Sequence, residues 1–187
     1  MRISIYSIFW FIGLLSFSPA HAKFELQGTK AVIAQLDQGS EVQIGTVNFQ
    51  LHSQGKHEFT LELDHTKFTD FFLSMREFKC LAGETEVSCH VPYPYKSPNI
   101  VSAEDYAWLE HRLLFMFKRP SEFGAKLWNG IYFKFAIEGD TLVGVPQAVD
   151  LNKIGAPPVD LNEPPYPDQD RHDTNIEQRL VKALVIR

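Results

Sequence analysis

The chain has 187 residues, a formal net charge of −5, 44% hydrophobic side chains and 15 phenylalanines, a composition that builds a core and excludes a disordered polymer. The acidic balance argues against an electrostatic binder of nucleic acid or of an anionic membrane, because both need a basic face. Two cysteines are too few for a disulfide-dense miniature fold.

In chain order, Arg2 precedes an apolar run from Ile3 to Phe17, followed by Ala20 and Ala22. This is the pattern of a secretory signal peptide, with cleavage expected after Ala22 and a periplasmic or secreted destination. The run falls short of the ~20 residues that span a bilayer, and Lys23 stands where a lipoprotein has cysteine. No integral membrane segment is expected after cleavage. The remaining residues divide into a β-rich domain over 23–155, a proline-rich acidic strap over 156–173 and an amphipathic segment over 174–187 expected to pack on the domain.

Alternating apolar positions predict about eight strands, near 29–36, 42–52, 57–63, 75–82, 87–92, 112–118, 130–138 and 141–149. Three hairpins follow from matching faces. A loop at Ser53-Gln54-Gly55 sets Phe49 against Phe59, Val47 against Leu61 and Gly45 against Leu63. A turn at Gly139-Asp140 sets Ile137 against Leu142 and Phe135 against Gly144. The third puts Cys80 opposite Cys89, Phe78 opposite Val91 and Ala82 opposite Val87, with Glu77, Lys79, Glu86, Ser88 and His90 on the other face. Within 42–51 the apolar parity changes from Val42 and Ile44 to Val47, Phe49 and Leu51, which a strand accommodates only by a bulge or bend, expected at Gly45. The fold class is therefore mainly β, an antiparallel barrel or sandwich.

Helices are few. Phe68, Phe71, Phe72 and Met75 share helical spacing and predict one or two turns. Ser102 and the acids after it cap an inserted helix over Ala103–His111. The strap carries five prolines, so it forms no regular element, and Tyr166 within Pro164-Pro165-Tyr166-Pro167 reads as a packing residue. Beyond it Ile176, Leu180 and Leu184 recur at i, i+4 and i+8, which predicts a short amphipathic helix.

In an exported chain the C-x8-C spacing of Cys80 and Cys89 is read as a structural disulfide, ahead of metal ligation beside His90 and unlike the C-x-x-C of redox proteins. No pair of histidines sits at i, i+2 or i, i+4, so no metal site is encoded locally and no cofactor is implied. Nucleophile elbows, zinc-protease motifs and phosphate loops are absent from the sequence. Candidate acid/base groups are Glu110, His111 and His90. Candidate ligand-binding aromatics are Tyr93 and Tyr95, stiffened by Pro92, Pro94 and Pro98, together with Trp108 and Trp128. The first functional expectation is an exported non-enzymatic binding module for a small apolar ligand, or for an envelope protein or glycan. The alternatives are an envelope-acting hydrolase or isomerase using a His/Glu pair, and a structural or assembly factor.

Overall fold

A computed structural model describes residues 24–187; the predicted signal peptide lies outside the described residues. The strands are β1 (Gly28–Leu36), β2 (Glu41–Ser53), β3 (Lys56–Leu63), β4 (Thr69–Phe72), β5 (Glu77–Ala82) and β6 (Val87–His90). They continue as β7 (Ile100–Ser102), β8 (Phe115–Lys118), β9 (Gly130–Glu138), β10 (Thr141–Val149), β11 (His172–Asp173) and β12 (Val181–Ile186), with one α-helix among the described residues, α1 (Ala107–Arg112). They form one antiparallel sheet in the order β4-β5-β6-β8-β9-β10-β12-β1-β2-β3-β7, with β11 added on β10.

The expected count of about eight strands is thus corrected to twelve among the described residues, in a sheet whose path ends at β4 and β7 without closing. All eight predicted strands are present. The additional four, β4, β7, β11 and β12, are short or lie where apolar residues repeat at helical spacing, so alternation does not reveal them.

The three hairpins pair as their faces dictate. Phe49 faces Phe59, Val47 faces Leu61 and Gly45 faces Leu63; Ile137 faces Leu142 and Phe135 faces Gly144; Cys80 faces Cys89 and Ala82 faces Val87. Gly55 supplies the positive φ of 71° in the first turn. Between β1 and β2, Val32 pairs with Gly45 but Ile33 with Gln43, so Ile44 is the extra residue of a bulge. That insertion buries Ile44 and then Val47 and Phe49 on the same side. A Cβ on Gly45 would stand 2.3 Å from the Glu62 carbonyl oxygen, so glycine is required where β2 and β3 close up.

Cys80 and Cys89 are joined by a disulfide. The hairpin they staple departs from expectation on its other face, where Glu86 and Ser88 are buried. Val91 lies outside the ladder with Phe78, its N–H donating instead to the Leu114 carbonyl at 2.8 Å. The pattern of β5 and β6 records only one covering layer; the C-terminal segment supplies the second, with the Leu180 N–H donating to Glu86 Oε1 at 3.0 Å.

Two helical expectations are overturned. The Phe68–Met75 stretch follows a 3₁₀ turn at His65–Lys67 and contributes β4, which lies at the sheet edge against β5. Asp64 starts the turn by accepting from the Thr66 N–H at 3.0 Å, and the β-branched and aromatic residues that follow suit a strand. The predicted C-terminal helix is β12, which pairs with β1 on one side and β10 on the other. Leu180, Val181, Leu184, Val185 and Ile186 are buried, while Ile176 stays exposed, so the segment packs by filling the gap between two long strands.

The inserted helix exists but starts later than Ala103. Ser102 Oγ accepts from the Glu104 N–H at 3.2 Å and Asp105 accepts from the Ala107 N–H at 2.9 Å, which bends the chain before the first helical turn. α1 packs on both β7, at one end of the strand path, and β9, near its middle. The sheet therefore curls around the helix, and this places Trp108, Leu109, Glu110 and His111 inside the core.

Candidate functional site

Four consecutive buried residues on one short helix are unusual, because a helix normally keeps a solvent face. Here β9 covers one side of α1 and the strap covers another. Glu110 and His111, adjacent in sequence, point in different directions yet meet the same residue, Tyr132 of β9. Tyr132 donates its hydroxyl proton to Glu110 Oε2, and its ring lies edge-on to the His111 imidazole at 5.2 Å.

Glu110 has no exposed surface. Its Oε1 accepts from the Phe135 N–H at 2.7 Å and lies 3.5 Å from the ammonium of Lys134. Burial raises the carboxyl above its ordinary range against the pull of these donors. Burial and the neighbouring Glu110 push the Tyr132 phenol up as well, so Tyr132 keeps its proton and serves as the donor.

His111 is equally enclosed, and both ring nitrogens are spoken for. Nδ1 lies 2.6 Å from the Ala107 carbonyl, which can only accept, so Nδ1 carries the proton. Nε2 then accepts from the Tyr166 N–H at 3.2 Å. Burial drives the imidazole down to about 4, with the Arg171 guanidinium adding to the effect and the Ala107 bond opposing it. The ring is boxed by Tyr166, stacked at 5.4 Å, and by Trp108 and Tyr93 at 5.8 and 6.0 Å. Tyr166 in turn donates its hydroxyl to the Asp150 carbonyl at 3.0 Å. A neutral histidine with both nitrogens bonded to backbone has no lone pair or proton free for a substrate.

His90 sits apart from this group. Its Nε2 donates to the Arg112 carbonyl at 3.0 Å, Phe115 lies edge-on at 5.6 Å, and burial drives it down to about 4. It lines a small cleft of 170 Å³ with His65 and Arg112.

Of the candidate binding aromatics, Tyr93, Tyr95 and Trp108 come together. Tyr93 meets Tyr95 at 5.6 Å and Trp108 at 6.0 Å. Tyr93 and Trp108 are buried, and Tyr95 donates to the Ile154 carbonyl at 3.2 Å, so the cluster belongs to the packed interior. The Tyr93 hydroxyl is buried with no hydrogen-bond partner among the described residues. Trp128 is elsewhere, 62% exposed, with the Lys126 ammonium 5.3 Å from its ring centroid.

One side of Trp108 reaches a cavity of 370 Å³ beside the edge strand β7, whose other lining includes Lys56, Ile100, Ser102, Asp105 and Asn162. Among the described residues no group of three or more His, Cys, Asp or Glu side chains could hold a metal ion. Sequence reasoning missed Tyr132, Lys134 and Arg171, whose guanidinium lies 4.9 Å from the Tyr132 ring centroid. The available signal was the run Ile131-Tyr132-Phe133 in β9, apolar on both faces and buried on both.

No protein-family model, no curated protein and no solved structure matches this chain.

Proposed function

We propose that the protein is an exported, non-catalytic binding module whose ligand is a short glycan segment or similar partly polar molecule, seated in the cavity beside β7. The disulfide suits an oxidising compartment, and no helix among the described residues is long and apolar enough to cross a membrane. The observation that carries the reading is a contrast between two places. The acid/base groups Glu110 and His111 are sealed and bonded to fixed partners. The cavity beside them combines an indole wall from Trp108 with hydrogen-bonding groups from Ser102, Asp105, Lys56 and Asn162. An aromatic face with polar groups around it matches the alternating apolar and hydroxyl surfaces of a sugar.

The test is a titration with soluble oligosaccharides from the cell envelope, followed through backbone amide NMR shifts. Saturable shifts confined to Ile100–Asp105 and Asn162, with the oligosaccharide recovered intact, are the expected result. Turnover of the oligosaccharide that His111→Gln abolishes would instead establish the acid/base enzyme.

A further inference from the structure

A second cavity, of 600 Å³, opens where the β5–β6 turn, the end of β8 and the segment leading into β12 meet. Its lining is unusual for what it leaves unpaired. The Lys118 stem is enclosed, the residue as a whole 3% exposed, while its ammonium is not among the buried unpartnered atoms, and none of the ion pairs or side-chain hydrogen bonds among the described residues involves it. This is the arrangement of a lysine that packs its apolar stem and turns its charge to an open recess. Arg179 lies 3.5 Å above the Phe117 ring centroid and reaches Glu86 Oε2 through Nη2 at 3.3 Å. Its Nε and Nη1 are buried with no acceptor among the described residues.

The two carboxylates of the cavity are already engaged by backbone. Glu86 Oε1 accepts from the Leu180 N–H at 3.0 Å, and Glu122 Oε2 accepts from the Arg119 N–H at 2.7 Å. Lys118, Arg119 and Arg179 therefore face two carboxylates, a surplus of positive charge in a recess lined by Asn129 and Gln178. Clustered cations that outnumber the carboxylates repel one another in the empty site, and an anion placed among them would relieve that repulsion.

We propose that this cavity binds a small organic molecule through an oxyanion head, a carboxylate or a phosphate monoester, held by Lys118, Arg119 and Arg179. The exposed Arg119 guanidinium offers paired N–H donors matched to such a head, Lys118 adds a compact charge, and Arg179 adds its field from beneath. The volume exceeds that of a bare anion, and Phe117 gives the rest of the ligand an apolar wall. The segment before β12 supplies Gln178 and Arg179, so the site exists only when the C-terminal strand is in place. This site lies apart from the cavity beside β7 and does not depend on the glycan reading.

The experiment is calorimetric titration of the mature protein with inorganic phosphate and, separately, with succinate at low ionic strength. At least one is expected to saturate with a Kd of about 1 mM or tighter, and the tighter of the two identifies the head group. Lys118→Met and Arg119→Gln should each weaken it by about tenfold or more, while Lys118→Met, which keeps the packed stem, leaves the melting temperature close to the parent's. Neither probe saturating, or both variants binding as the parent does, overturns the proposal. Arg119 is exposed, so Arg119→Gln decides the matter even where Lys118→Met fails to fold.

Discussion

The ring of Tyr166 stacks on the His111 imidazole, centroids 5.4 Å apart and planes 22° from parallel, while the N–H of the same tyrosine donates to His111 Nε2 at 3.2 Å. One residue of the proline-rich strap thus closes the core over α1 and holds the histidine in a single tautomer. Prolines on both sides of Tyr166 limit the conformations the strap loses on docking, which favours the closed arrangement. Replacing Tyr166 with alanine should lower stability by about 3–5 kcal/mol, as truncation of a buried aromatic does. Tyr166→Phe, which loses only the bond to the Asp150 carbonyl, should lower it by about 1 kcal/mol. Equal denaturation midpoints for the parent and Tyr166→Ala would show that the strap does not close the core.

His111 makes the fold sensitive to acid. Its folded-state value is lowered from 6.5 to about 4, so between those values the unfolded chain binds the proton more readily than the folded one. Its contribution is complete above about pH 6.5 and is lost as pH falls toward 4. The loss amounts to about 3 kcal/mol at most. His90 acts in the same direction, whereas Glu110, raised by burial, acts in the opposite one, its contribution fading as pH rises. Denaturant melts from pH 7 to 4 should show falling stability in the parent and a shallower fall in His111→Gln. Parallel curves would remove His111 as the source.

The disulfide closes a short loop across β5 and β6, two strands near the β4 end of the sheet. Loop-closure entropy gives it about 3 kcal/mol. A Cys80→Ala, Cys89→Ala double variant should melt earlier by several degrees, roughly 2–4 °C per kcal/mol for a domain of this size, with an unchanged far-ultraviolet spectrum. Loss of β signal in that variant would mean that the staple is needed for the sheet itself.

Removal of residues 181–187 deletes a strand that joins β1 to β10, the two longest ladders around it. It should abolish cooperative unfolding and expose enough apolar surface to bind a hydrophobic dye strongly. A truncated protein that still melts cooperatively would show that β1 and β10 can pair without β12.

The local pairings were legible in the sequence because alternation acts between neighbours in the chain. The faces of Val47, Phe49, Phe59 and Leu61, or of Cys80 and Cys89, admit one register, and a slip by one residue would turn apolar side chains to solvent. The parity change before Gly45 likewise announced the bulge at Ile44, because side-chain direction along a strand is a local property. The candidate site was legible only as a set of residue types. That Glu110 and His111 converge on Tyr132 follows from the curl of the sheet around α1, a relation between positions 22 and 21 residues apart that no local period records.

Residues 176–186 mark the boundary most sharply. Ile176, Leu180 and Leu184 satisfy a helical period as well as VKALVI satisfies a buried strand, and propensity is too weak to choose between them. The decision came from β1 and β10, whose facing edges carried unpaired N–H and C=O groups that only an extended segment could satisfy along its whole length. Hairpins and staple are properties of short stretches and stand in the sequence; the choice of strand over helix, the sealing of His111 and the unpaired guanidinium nitrogens of Arg179 arose when distant segments met, because hydrogen-bond satisfaction and burial are set by what lies across the gap.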